Sequence, residues 1–145
     1  LELHLIGPLQ TNKVKQALKI FDVIQTIDRI ALIDEISSKL NTLSETKTKE
    51  FYIQVNIGNE IQKSGVDIDQ LSDIYKYAIG KSLNIKGLMC IPPNISDPGK
   101  YFEKMLDIKD MLDQNLKLSM GMSGDYLMAL KYNSNLIRVG SLIFE

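Results

Sequence analysis

Two stretches near the end of the chain decide its fold: Leu118-Ser119-Met120-Gly121-Met122-Ser123-Gly124-Asp125 and Leu136-Ile137-Arg138-Val139-Gly140-Ser141-Leu142-Ile143-Phe144. In each, a short apolar run reaches a Gly and a Ser, which are typical turn residues, so each predicts a buried strand followed by a turn. The segment between the runs, from Gly124 to about Tyr132, predicts one short helix. Together the two stretches predict a strand, a helix and a second strand.

The Gly and Ser residues place bare backbone N–H groups and a hydroxyl where each predicted strand ends. In (β/α)8 barrels, the loops after the last two strands often bind phosphate, with helix N-termini supplying the positive end of a dipole. Gly and Ser are also common in turns that bind nothing. The pattern alone therefore leaves two interpretations open, a phosphate-binding cup and a plain turn.

The rest of the chain repeats the alternation of strand and helix. Apolar runs predict further strands at residues 3–9, 21–27, 51–57 and 85–91, and stripes of apolar residues at helical spacing separate them. The resulting six strands and five helices predict a parallel sheet with right-handed crossovers, covered on both faces. Periodicity does not distinguish a doubly wound sheet from part of a barrel.

Composition excludes several classes of function. The 145 residues are 44% hydrophobic and 24% charged with a net charge of -1, which provides no field for nucleic acid or an anionic membrane. No apolar run has the length of a membrane span, and the single cysteine, Cys90, excludes an internal disulfide, so we expect a reducing cytoplasm. A complete barrel needs about 250 residues. Because the chain starts at Leu1 inside a predicted strand, we expect it to be a fragment.

Five stretches of the chain resemble the pyridoxal phosphate homeostasis protein family, relatives of the alanine racemase N-terminal barrel. They are His4–Lys13, Val55–Glu60 with Lys63–Gly65, Gly87–Pro93, Leu118–Asp125 and Arg138–Phe144. The resemblance implies an incomplete (β/α)8 TIM-barrel fold, with the third to eighth strands in a single partial domain at residues 1–145. It also implies pyridoxal 5'-phosphate as cofactor. The family's Schiff-base lysine lies on its first strand and has no counterpart in this chain.

The resemblance assigns the phosphate of the cofactor to the two Gly/Ser loops. It places the hydroxyls of Ser123 and Ser141 and the backbone N–H groups of Met122 and Gly140 around that phosphate. Asp125 is expected to cap the following helix, since a carboxylate beside a phosphate would repel it.

The resemblance also places the guanidinium of Arg138 against the pyridine nitrogen of the cofactor. An unpaired charge inside an apolar strand is costly, so the alternative for Arg138 is a structural ion pair with a carboxylate. His4, the only histidine, either faces the cofactor pocket or is a satisfied core residue. Asn56 either lines the same mouth or caps its own loop.

For three further side chains, we expect a structural or solvent-exposed role and not a catalytic one. Lys13 and Lys63 lie nearest the pocket by motif, and either would need a lowered pKa to attack an aldehyde. Cys90 is expected to be buried and inert, because no second histidine is present to activate it.

The leading functional prediction is a carrier that binds pyridoxal phosphate and regulates its free level without turnover. One alternative is a racemase-like enzyme whose lysine segment resides on another polypeptide, and another is a remnant of a disrupted gene that binds nothing tightly. A barrel without two strands has two exposed sheet edges. We therefore expect a complementing chain or self-association through those edges.

Overall fold

Six strands and the helices that connect them make up the computed structural model, which describes residues 1–144. The strands are β1 (His4–Leu5), β2 (Val23–Ile27), β3 (Glu50–Val55), β4 (Ile85–Cys90), β5 (Lys117–Met122) and β6 (Leu136–Arg138). The helices are α1 (Val14–Ile20), α2 (Ile30–Thr42), α3 (Ile68–Gly80), α4 (Gly99–Leu112), α5 (Tyr126–Lys131) and α6 (Ser141–Phe144), and a 3-10 turn, Thr11–Lys13, precedes α1. The predicted alternation of six strands with five intervening helices is confirmed.

The strands are all parallel and lie in the order β1-β2-β3-β4-β5-β6. A doubly wound sheet reverses its strand order at a switch point, whereas this order never reverses. The Ser119 hydroxyl of β5 donates to Gln25 Oε1 of β2 over 2.5 Å, although these strands are not neighbours in the sheet. The sheet therefore curls into a half-barrel, and the doubly wound alternative is wrong.

Each face of the curled sheet has its own apolar cluster. On the outer face, buried strand residues such as Ile53 and Leu88 pack with buried helix residues such as Ile33 and Phe102. On the inner face, the cluster is Val23, Tyr52 and Met89, with partly buried Ile91 and Leu136 against it. Burial on both faces explains why the strand sequences are nearly continuous apolar runs.

One predicted strand is wrong in extent. The first strand was expected over residues 3–9, but β1 contains two residues, which pair with Val23 and Ile24 of β2. The last strand gives way at its Gly and Ser, as predicted: β6 ends at Arg138, and Ser141–Phe144 forms α6. Gly and Ser are typical turn residues, and the apolar residues of α6 are exposed.

Within residues 1–144, no helix combines the length and the hydropathy needed to cross a membrane. The same residues contain no group of three or more His, Cys, Asp or Glu side chains arranged to hold a metal ion.

Gly87 allows β3, β4 and β5 to approach one another. A Cβ atom at this position would lie 2.3 Å from the Lys117 carbonyl oxygen and 2.5 Å from Tyr52 Cε2. Contacts this short require the backbone of β5 and the Tyr52 ring to move. Gly87 is thus needed for the close packing of the inner face.

We predict that Gly87→Ala lowers the free energy of unfolding by about 1–3 kcal/mol, because it overpacks a closely packed sheet. Urea unfolding followed by circular dichroism measures the change. The matched control is Gly80→Ala at the end of α3, where no atom lies within 4 Å of the added Cβ. That variant should be neutral or slightly stabilising. Equal unfolding midpoints for the two variants would contradict the prediction.

Candidate functional site

The loops that follow β5 and β6 meet at the carboxyl ends of their strands. The Gly140 N–H donates to Ser123 Oγ over 3.2 Å, and the Leu142 N–H donates to the same oxygen over 3.4 Å. Ser141, between those two donors, is the first residue of α6. The structure thus brings Ser123, Gly140 and Ser141 together, and backbone N–H groups at the start of α6 already point at an oxygen atom.

The Met122 N–H, which is also predicted to bind phosphate, has a partner within the chain. It donates to Asp125 Oδ1 over 2.7 Å, and the Asp125 N–H donates back to the Met122 carbonyl over 3.1 Å. Asp125 is the N-cap residue of α5, as predicted, but its side chain makes no capping hydrogen bond to that helix. The carboxylate closes the turn after β5 instead, and a ligand would have to displace it to reach the Met122 amide.

A cavity of about 490 Å³ lies beside this loop pair, between the two edge strands of the sheet. Its lining includes His4 near one edge, Leu136 and Arg138 of β6 at the other, and Gln25 between them. Met122 and Gly140 also line it. Four of the predicted site residues therefore share one cavity: His4, Met122, Arg138 and Gly140.

The Arg138 guanidinium is held by uncharged acceptors. Nη1 donates to Ser119 Oγ over 2.8 Å, and Nη2 donates to the Cys90 carbonyl over 2.9 Å. Among residues 1–144, no carboxylate lies within ion-pair distance of it, so the structural ion pair finds no support. Burial lowers the pKa of Arg138, although the group stays charged. Its two bonds use two of five N–H groups, and the remaining donors can serve a ligand.

His4 is connected to Arg138 through two side chains that the sequence analysis missed. Gln25 Nε2 lies 2.8 Å from His4 Nδ1, and Gln25 Oε1 accepts the Ser119 hydroxyl. Gln25 and Ser119 are buried polar residues on strands whose other buried residues are mostly apolar. Their polarity was a signal in the sequence, because a buried polar side chain needs a partner.

Asn56 and the two candidate lysines have contacts within the chain or lie on another groove. The Asn56 amide donates to the Glu60 carbonyl over 2.7 Å and accepts the Glu60 N–H over 3.1 Å, as a loop cap does. Lys63 Nζ donates to the Pro92 carbonyl over 3.1 Å and pairs with Glu60 Oε1 over 3.1 Å. Lys13 is exposed and lines a different groove, beside α1. A cofactor-binding role for Asn56 stays a prediction.

Cys90 lies under the site, and its thiol is buried in the outer core of the half-barrel. Burial raises the pKa of the Cys90 thiol to about 12, which outweighs the opposing effect of Arg138. The thiol is therefore protonated and unreactive in the folded chain.

We predict that Cys90 reacts with a disulfide reagent such as DTNB only as fast as the chain unfolds. At pH 8 the folded chain should react far more slowly than the same chain in urea. The thiol has a higher pKa in the folded chain than in the unfolded chain, so between about pH 9 and 12 the unfolded chain loses the thiol proton more readily. The free energy of unfolding should therefore fall as pH rises over that range. Fast labelling of the folded chain would show that Cys90 is accessible.

Comparison with known proteins identifies the family. The model of the family described as "Alanine racemase, N-terminal domain" matches residues 2–145. This chain belongs to that family. The pyridoxal phosphate homeostasis proteins of Aquifex aeolicus and Haemophilus influenzae are 35% and 36% identical to it over 99% of its length. The chain spans about two thirds of these curated relatives, 66% and 64% of their lengths. The family resemblance noted in the sequence is confirmed.

Solved structures of family members confirm the incomplete barrel. PipY of Synechococcus elongatus, in a structure without PLP, is 28% identical with a TM-score of 0.87, and 98% of this chain covers 70% of it. A second PipY structure, with PLP bound, gives a TM-score of 0.84 at 28% identity, with 98% and 69% covered. An alanine racemase of Clostridium difficile shares the fold alone, with a TM-score of 0.73 at 11% identity and 39% of its chain covered.

Proposed function

We propose that this chain binds pyridoxal 5'-phosphate and carries it without turnover, as part of pyridoxal phosphate homeostasis in the cytoplasm. In this proposal residues 1–145 act as one domain. The names of the curated relatives and the PipY structure with PLP bound support the choice of ligand. The observation that carries the proposal is the meeting of the β5 and β6 loops beside a cavity that contains Arg138.

The loop pair fits a phosphate because its donors already face an acceptor. The N–H groups of Gly140 and Leu142 point at Ser123 Oγ, and phosphate oxygens would take the place of that hydroxyl oxygen. The hydroxyls of Ser123 and Ser141 can then donate to the same anion. The Asp125 carboxylate accepts the hydrogen bond of the Met122 N–H. Its negative charge repels a second anion, which limits how much negative charge the site accepts.

Arg138 fits the other end of the ligand because a guanidinium only donates. It therefore matches a ring nitrogen that carries no proton, and its charge opposes protonation there. When bound, the cofactor supplies an aldehyde and an electron-withdrawing ring. A ring without the extra proton withdraws electrons less strongly, which favours carriage of the cofactor over chemistry on an amino acid.

We predict that the chain binds pyridoxine 5'-phosphate, which has the ring and the phosphate but no aldehyde and so cannot react with surface lysines. Isothermal titration calorimetry should give one saturable site per chain. Ser123→Ala should weaken binding about tenfold, since it removes one hydrogen bond to a charged group. The matched control, Ser44→Ala in the exposed loop after α2, should bind like the unaltered chain.

Unphosphorylated pyridoxine tests the phosphate cup directly. It should bind much more weakly than the phosphorylated ligand. Equal affinity for both compounds, or unchanged affinity in Ser123→Ala, would overturn the assignment of the two loops. Exchange of the α-proton of amino acids in the presence of pyridoxal phosphate would overturn carriage without turnover and favour the racemase-like alternative.

The two sheet edges suit a partner strand. Among residues 1–144, β1 pairs only with β2 and β6 only with β5, and an edge strand leaves a row of N–H and C=O groups for pairing with another chain. Leu3, beside β1, is an exposed apolar residue. We propose that a complementing chain covers these edges or, without one, that copies of this chain associate through them.

We predict that the isolated chain self-associates with rising concentration, as measured by light scattering after size exclusion. Leu3→Lys should reduce the association, because a charged edge opposes strand pairing. Ile79→Lys on α3, an exposed isoleucine away from both edges, should leave it unchanged. A monodisperse monomer at all concentrations would count against pairing through the edges.

A further inference from the structure

Four side chains from four strands form a continuous hydrogen-bonded line across the inside of the half-barrel. Arg138 Nη1 lies 2.8 Å from Ser119 Oγ, and that oxygen lies 2.5 Å from Gln25 Oε1. Gln25 Nε2 lies 2.8 Å from His4 Nδ1. The line joins β6, β5, β2 and β1, so it connects the two sides of the cavity.

The arginine end sets the direction of every bond in this line. A guanidinium has no acceptor atom, so Arg138 donates to Ser119 Oγ. The buried Ser119 hydroxyl then directs its own proton to Gln25, which must present its carbonyl oxygen. The Gln25 amide group therefore faces His4 with its NH₂, and Nδ1 of His4 accepts.

The other end of the line requires the same arrangement independently. His4 Nε2 lies 3.3 Å from Glu2 Oε1, and an ionised carboxylate only accepts. The ring must therefore carry its proton on Nε2. Because the two ends agree, a single neutral tautomer of His4 satisfies the whole line.

We infer that Ser119 and Gln25 are positioning residues, which hold the Arg138 guanidinium and fix His4 as the Nε2–H tautomer. We call Arg138, Ser119, Gln25 and His4 the relay. Its two outer members, Arg138 and His4, line the cavity. The relay therefore fixes Arg138 with its unused N–H groups available to the cavity, and these donors select a ligand with acceptor atoms. The identity of that ligand rests on the proposed function, whereas the direction of the relay does not.

The relay can be tested without any ligand, since His4 is the only histidine of the chain. Long-range proton–nitrogen NMR of the ¹⁵N-labelled imidazole reports which ring nitrogen carries the proton. At a pH where His4 is neutral, we expect the Nε2–H pattern. A pattern of Nδ1–H, or an even mixture of tautomers, would overturn the inference.

Gln25→Glu gives the sharpest variant, because a carboxylate of nearly the same shape accepts at both oxygens. It can still accept from Ser119, but it requires a proton on Nδ1, so the NMR pattern of His4 should change to one with Nδ1 protonated. Ser119→Ala combined with Glu2→Ala should instead release both sides of the His4 ring and produce a mixture of tautomers. Ser44→Ala should keep the original pattern. If Gln25→Glu leaves the pattern unchanged, the inference fails.

Titration with pyridoxine 5'-phosphate separates this inference from the proposed function. Ser119→Ala should weaken binding about tenfold by releasing Arg138. If His4 shows the Nε2–H pattern and the ligand does not bind, the relay stands and the proposed function falls. If the ligand binds equally to Ser119→Ala and to the unaltered chain, Ser119 does not position Arg138.

Discussion

Parallel pairing in unbroken chain order is the constraint on which the rest of this structure depends. Each connection carries the chain back across the same face of the sheet, so the helices lie outside and the sheet curls around its own inner face. All strands then end at one rim. That is why the residues after β5 and β6 meet, and why Ser123 contacts Gly140 and Leu142.

The curl creates an interior that has to satisfy both apolar and polar groups. Val23, Tyr52 and Met89 fill part of it. The remaining space contains Gln25 and Ser119, each almost completely buried, and a buried polar group without a partner costs free energy. In this interior the polar groups form hydrogen bonds with one another and with Arg138. A network of this kind is stabilising only when every member is satisfied, which gives the cavity wall a defined geometry.

Charge is distributed unevenly around the candidate site. Arg138 is held by a hydroxyl and a backbone carbonyl, so its positive charge is available to the cavity. The Asp125 carboxylate, at the rim, accepts a hydrogen bond from the Met122 N–H. The cavity therefore pairs a permanent cation with a loop cup whose donors face one point, an arrangement suited to an anionic ring compound with a phosphate at one end.

Much of this protein was determined by local sequence. Apolar runs of strand length and stripes at helical spacing established the alternating elements, and the Gly/Ser motifs predicted both loops of the candidate site, because these features depend on near neighbours in the chain. The extent of β1 was not predictable in this way, since an edge strand has a partner on one side only.

Only the tertiary structure decided between a barrel and a doubly wound sheet, and only it joined His4 to Arg138. The contact between Gln25 and Ser119 spans 94 positions of the chain, and no periodicity encodes a pairing of that separation. The same holds for Asp125, whose carboxylate turned back to Met122 instead of forward to α5. Local sequence determined which side chains are polar, and the curl of the sheet determined which of them form hydrogen bonds with one another.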